Sequence, residues 1–143
     1  MKRKSLAIFS LVLVLALFIS ACGKAAELTE YDFGADKVPS VNAVIGEERK
    51  VTGVSTGTSN GTQYKEYIYA TDSMYEDLAP YLTSLIESGW LPIVDYNLND
   101  GTGKAQLAIE SADAGKILII TVKFEAKKYE IRVEKGIGTL TPK

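Results

Sequence analysis

The chain has 143 residues, 16 basic and 18 acidic, no histidine and a single cysteine. These counts exclude an intrachain disulfide and a zinc site built on histidine or several thiolates, since the ligands are missing. They also leave no basic excess of the kind that marks a nucleic-acid footprint.

In chain order, Lys2, Arg3 and Lys4 form a positive cluster. An apolar run follows from Leu6 to Ile19, broken by Ser10, and then Ser20, Ala21 and Cys22. A positive start, a short apolar core and a small-residue exit are the three parts of a secretory signal peptide. The apolar run is shorter than the ~20 residues a spanning helix needs, so residues 1–21 read as a targeting segment. Cleaving it removes three basic and no acidic residues. Thirteen basic residues then face 18 acidic ones, and the net charge moves from −2 to −5.

The tetrad Ile19-Ser20-Ala21-Cys22 resembles a bacterial lipobox, with isoleucine where leucine is commonest. The resemblance covers residues 1–22 alone. It implies that Cys22 receives a diacylglyceryl group, that the chain is cut before it, and that the product is anchored on the extracytoplasmic face of the bacterial cell membrane. The chemistry agrees, because a thiolate is a good nucleophile for taking up a lipid. Each buried methylene contributes ~0.8 kcal/mol, and two acyl chains hold where one holds only marginally.

Residues 22–40 mix small and charged residues with isolated apolar ones and end at Pro39. They read as the lipidated cysteine and a tether, with a strand-like patch near Tyr31 and Phe33. Fully extended, the tether reaches ~50 Å. Residues 41–143 then form one domain, since the remaining length suits one core.

Within that domain, 50–58 is rich in valine and threonine, and 62–70 is rich in β-formers. Asn60-Gly61 between them predicts a hairpin, because both turn residues need positive φ. Ser73 and Glu76 have the spacing of a helix capping box. Met74, Leu78, Leu82, Leu85 and Ile86 recur at helical spacing, and Gly89 is a natural terminator. Pro80 conflicts with a continuous helix, since it removes a hydrogen bond; either the helix kinks there or its regular part begins near Asp77. Strands are predicted at 90–96, 105–110, 116–125 and 129–135. In the third of these Leu118, Ile120, Val122 and Phe124 share a face, expected to meet Leu82, Leu85 and Ile86. Short links favour antiparallel neighbours. The expected fold is α+β: an antiparallel sheet of five or six strands with one helix on one face, in the order β-β-α-β-β-β-β.

The chemistry is sparse. Asp95 to Gly101 opens like a calcium loop but lacks its glycine at position six and its glutamate at twelve; a polar turn explains the same residues. Glu76 with Asp77, Asp95 with Asp100, and Glu110 with Asp113 are the carboxylate neighbours that would suit glycan cleavage. After the signal segment there is no S-x-x-K motif, and no phosphate-binding glycine loop. No metal or other cofactor is expected. Tyr67 and Tyr69 alternate along one strand and so share a face, which makes them the candidate contacts for a peptide or glycan ligand. Trp90 more naturally serves the core. The expectation is a membrane-anchored, non-catalytic binding or accessory module whose partners are the membrane, through the lipid on Cys22, and a peptide or glycan, with no nucleic acid. The competing reading is a carboxylate-dependent hydrolase acting on glycan. A solute-binding component of a transporter fits poorly, because two closing lobes need more chain.

Overall fold

The computed structural model of the protein describes residues 28–141. The expected lipidation site, Cys22, lies outside the described residues, as does the whole signal segment.

The domain is α+β. Strands β1 (Glu30–Phe33) and β2 (Asp36–Pro39) form a small antiparallel hairpin, followed by a short helix α1 (Val41–Ile45). Strands β3 (Val51–Ser59) and β4 (Thr62–Ala70) lead into the main helix α2 (Met74–Glu87). Then come β5 (Leu91–Val94), a single 3-10 turn at Leu98–Asp100, β6 (Gly103–Glu110), β7 (Lys116–Glu125) and β8 (Lys128–Ile137). The last six strands make one antiparallel sheet in the spatial order β3-β4-β8-β7-β6-β5. Helix α2 carries the chain from β4 to the opposite edge. A meander then returns through β5, β6 and β7 and lays β8 beside β4.

Local chemistry sets these elements. Asn60 and Gly61 take φ of 51° and 75°, closing the β3–β4 hairpin with Ser59 opposite Thr62. The Ser73 hydroxyl caps α2 by accepting from the Glu76 amide. The helix therefore starts at Met74 rather than near Asp77. Pro80 lies inside it on the exposed side, where its missing N–H leaves the Glu76 carbonyl without its helical donor.

The inner face of the sheet carries the core. Leu118, Ile120, Val122 and Phe124 of β7 and Tyr129, Ile131 and Val133 of β8 are buried against Leu78, Leu82 and Leu85 of α2. Trp90 is buried with them. Two details of the helix differ from the expected stripe. Ile86 is exposed, and Tyr81 is fully buried in its place, donating its hydroxyl to the Pro39 carbonyl at 3.1 Å.

The larger correction concerns residues 28–40. The expected tether is folded from Leu28 onward: Tyr31, Phe33 and Val38 belong to the buried core. Tyr31, Phe33 and Val38 place their side chains on one side of the β1–β2 hairpin, and that side packs on the sheet. Ser40 then bonds back to Leu28 and Thr29 through its hydroxyl and amide. The folded domain therefore reaches back at least to Leu28, well before the expected start at residue 41.

Candidate functional site

The two tyrosines expected to meet a ligand do share a face of β4, but that face is covered. Tyr69 is fully buried and Tyr67 nearly so. The Tyr31 ring stacks on Tyr67 with centroids 4.6 Å apart, and Tyr129 stacks on Tyr69 at 5.2 Å. The Tyr69 and Tyr31 hydroxyls are hydrogen-bonded to each other at 2.7 Å. Burial pushes the Tyr69 phenol up to about 12 and raises Tyr67 as well. Tyr67 and Tyr69 are thus core residues and not contact residues. The reason is the β1–β2 hairpin, which lies on them.

Asp77 and Asp100, each one member of an expected carboxylate pair, are engaged elsewhere. Asp77 is buried and accepts from the Arg49 guanidinium at 3.0 and 2.9 Å, from the Thr71 hydroxyl at 2.6 Å and from Tyr129 at 3.2 Å. This cluster ties the segment before β3 to the first turn of α2, while Glu76 beside it points to solvent. In the Asp95–Gly101 segment the Asn97 amide donates to Asp100 at 3.0 Å, and its oxygen accepts from the Asn99 amide. Those oxygens close a turn on themselves. No group of three or more potential metal-ligating residues occurs among the described residues.

The β1–β2 turn, four strands of the main sheet and the β6–β7 turn meet at one end of the inner face and leave a polar groove of about 490 Å³. The β1–β2 turn, Asp32 to Ala35, forms one wall. Thr56 and Thr58 of β3 with Gln63 and Lys65 of β4 form the floor, and Asp113, Lys116 and Lys135 close the far side. No residue of helix α2 lines it.

Lys135 organises the groove. It continues the inward phase of β8 after Tyr129, Ile131 and Val133. Its ammonium lies 2.7 Å from Asp36, pairs with Asp113, and donates to the Phe33 carbonyl at 3.2 Å. All three of its hydrogens are engaged, so it acts as a clamp joining the hairpin, the sheet and the β6–β7 turn. Asp36 also accepts from the Ser111 hydroxyl at 2.6 Å and the Ala112 amide at 2.7 Å. Burial alone would raise the Asp36 carboxyl, but the bonds from Lys135, Ser111 and Ala112 outweigh it and hold the group below its ordinary value. Hydrogen bonds to Asp113 and Asp36 raise Lys135 in turn.

The other two lysines differ. Lys65 bonds to the Asp32 carbonyl and sits over the Phe33 ring, 5.4 Å from its centroid. Neither Lys65 nor Lys116 has a carboxylate within 4.0 Å among the described residues. Among the described residues, the groove therefore holds one ammonium shared by two carboxylates in its base, two ammoniums with no carboxylate within 4.0 Å, and Asp32 on its wall. Sequence reasoning missed this site. The available signal was Lys135 itself, a lysine in the buried phase of an apolar alternation, which demands a partner.

Set against known proteins, the chain matches no family model, no curated protein and no solved structure.

Proposed function

We propose that this protein is a non-catalytic binding or accessory module, held at the extracytoplasmic face of a bacterial cell membrane by a lipid on Cys22, and that the groove beneath the β1–β2 turn is its contact site. The observation that supports this reading best is the pair Lys65 and Lys116. They place two cationic groups, with no carboxylate within 4.0 Å among the described residues, on a concave polar surface, where a ligand's acceptors would find them. Concave sites with a few placed polar groups are the usual form of a binding site.

The hydrolase reading needs one carboxylic acid kept protonated beside a second, ionised one. Asp36 and Asp113 converge here, but both converge on the Lys135 ammonium. That arrangement favours the ionised form of Asp36, the wrong direction for a proton donor.

Two measurements test the proposal. Mass spectrometry of the membrane fraction should find an acylated fragment beginning at Cys22, lost in Cys22→Ala; an intact Met1 peptide in the mature protein would refute the anchor. For the site, amide NMR of the full chain in detergent should show shifts at Thr56, Lys65 and Lys116 on adding a short acidic peptide or a cell-wall oligosaccharide. Turnover of that oligosaccharide, abolished by Asp36→Asn or Asp113→Asn, would overturn the non-catalytic reading.

A further inference from the structure

The two edges of the main sheet are built differently. β5 is four residues long, contains Pro92 and is bulged between Pro92 and Val94. Short length, proline and bulges are the devices that keep an edge from pairing with another strand. β3 runs nine residues, VTGVSTGTS, with no charge and no proline, and its only irregularity lies at its start, between Val51 and Gly53.

The register identifies which backbone groups of β3 are unused. Ser59 faces Thr62 across a two-residue turn, which makes them a hydrogen-bonded pair. Bonded and non-bonded pairs alternate in an antiparallel ladder. Ser55 and Gly57 therefore bond to β4, while Val54, Thr56 and Thr58 direct their N–H and C=O away from the sheet. The same three residues stand opposite Tyr67, Lys65 and Gln63, so their side chains lie on the inner face. Thr56 and Thr58 also floor the groove. The free edge and the groove are thus one continuous surface.

Resting on the groove as the contact site, we propose that its ligand is an extended peptide that adds a strand to β3. It carries an apolar side chain beside Val54 and an acidic one beside Thr56, two residues apart on one face. Val54 is 61 % exposed, an apolar side chain at an edge that no described residue covers. A residue paired with Thr56 lies two strand spacings, about 10 Å, from the Lys65 backbone. That distance is within the joint reach of a lysine and a glutamate side chain. A second copy of the chain fits less well, because its own β3 would bring no carboxylate to Lys65. Strand addition draws affinity from main-chain bonds and selectivity from alternate side chains.

The test uses the full chain in detergent and a fluorescent peptide of threonines with valine and glutamate two residues apart. Fluorescence anisotropy should show binding. Replacing that glutamate by lysine should weaken it about fivefold or more, and Lys65→Glu should reverse the preference. Thr56→Pro removes an N–H that the fold does not use, so it should weaken binding about tenfold with an unchanged melting temperature. N-methylating the peptide backbone at the residues facing Thr56 and Thr58 should abolish binding, a measurement that needs no variant. Binding that survives N-methylation but not the glutamate swap would overturn strand addition and leave the groove reading standing. Sedimentation showing a dimer that Thr56→Pro converts to monomer would overturn the peptide in favour of a second copy. If neither the peptide nor the oligosaccharide shifts any groove amide, both readings fall together.

Discussion

The hydroxyls of Tyr31 and Tyr69 lie 2.7 Å apart in the core, and this bond fastens the β1–β2 hairpin to the middle of the main sheet. Tyr31 also accepts from the Val41 amide at 3.4 Å, at the start of α1. Replacing either tyrosine by phenylalanine should cost about 0.5–1.5 kcal/mol for the lost bond, and about 1–3 kcal/mol if the remaining hydroxyl is left unsatisfied. The double substitution should cost less than the sum of the singles, because it removes both polar ends. A urea titration of the four proteins gives the coupling directly.

Ile120 is fully buried in β7, between β6 and β8 and under α2. Ile120→Ala should destabilise the domain by ~2–5 kcal/mol, the range for large-to-small changes in a core. A denaturant midpoint that barely moves would mean that the strand is not central.

The buried Asp77 carboxylate holds the partly exposed Arg49 together with Thr71 and Tyr129. Asp77→Ala leaves the guanidinium and two hydroxyls without their shared acceptor. Arg49 is partly exposed and keeps Glu47, so the loss is mainly that of the hydrogen bonds to the buried carboxylate, about 1–3 kcal/mol. Chemical denaturation should show a loss of this size, while Glu76→Ala, one residue away and exposed, should leave the midpoint nearly unchanged.

Stability should fall at both ends of the pH scale, for different groups. Tyr69 rises from 10.0 to about 12 in the folded state. A group raised on folding contributes stability that is complete below its unfolded value and is lost as pH climbs through the folded one. For Tyr69 that window is pH 10 to 12, with about 2–3 kcal/mol at stake. Asp36 moves the other way, below its model-compound value of 3.8. Its contribution is present above pH 3.8 and is lost as pH falls through the folded value. Thermal melts of the wild type, Tyr69→Phe and Asp36→Asn across both ranges should show the alkaline slope reduced in the first variant and the acid slope reduced in the second.

The fold was legible wherever periodicity ran long. β7 spans ten residues of alternating burial, Lys116–Glu125, and its bounds follow from pattern alone. The Asn60-Gly61 turn and the Ser73 cap each carry a local mechanism and sit where the sequence places them. The hairpin at Glu30–Pro39 was not legible in the same way, because each strand has four residues and offers one or two apolar positions. That missed hairpin also explains the misplaced site. Alternation shows that Tyr67 and Tyr69 share a face, but what covers that face lies more than thirty residues upstream. Lys135 could have been recognised as buried, but its partners Asp36 and Asp113 come from two other elements, and only the folded topology brings them together.

Because the described fold already includes Leu28, at most six peptide steps lie between Cys22 and the packed domain. Six residues span at most about 21 Å, against the ~50 Å of a tether running to Pro39. On the proposed lipid anchor at Cys22, the domain would sweep a shallow dome, with a volume smaller by about thirteenfold or more, as the cube of that reach. Under that proposal, a partner would have to come to the bilayer surface, either as another resident of the same membrane or as the membrane-proximal end of something larger. Lengthening the segment before Leu28 with glycine and serine should relax that requirement without touching any contact in the fold.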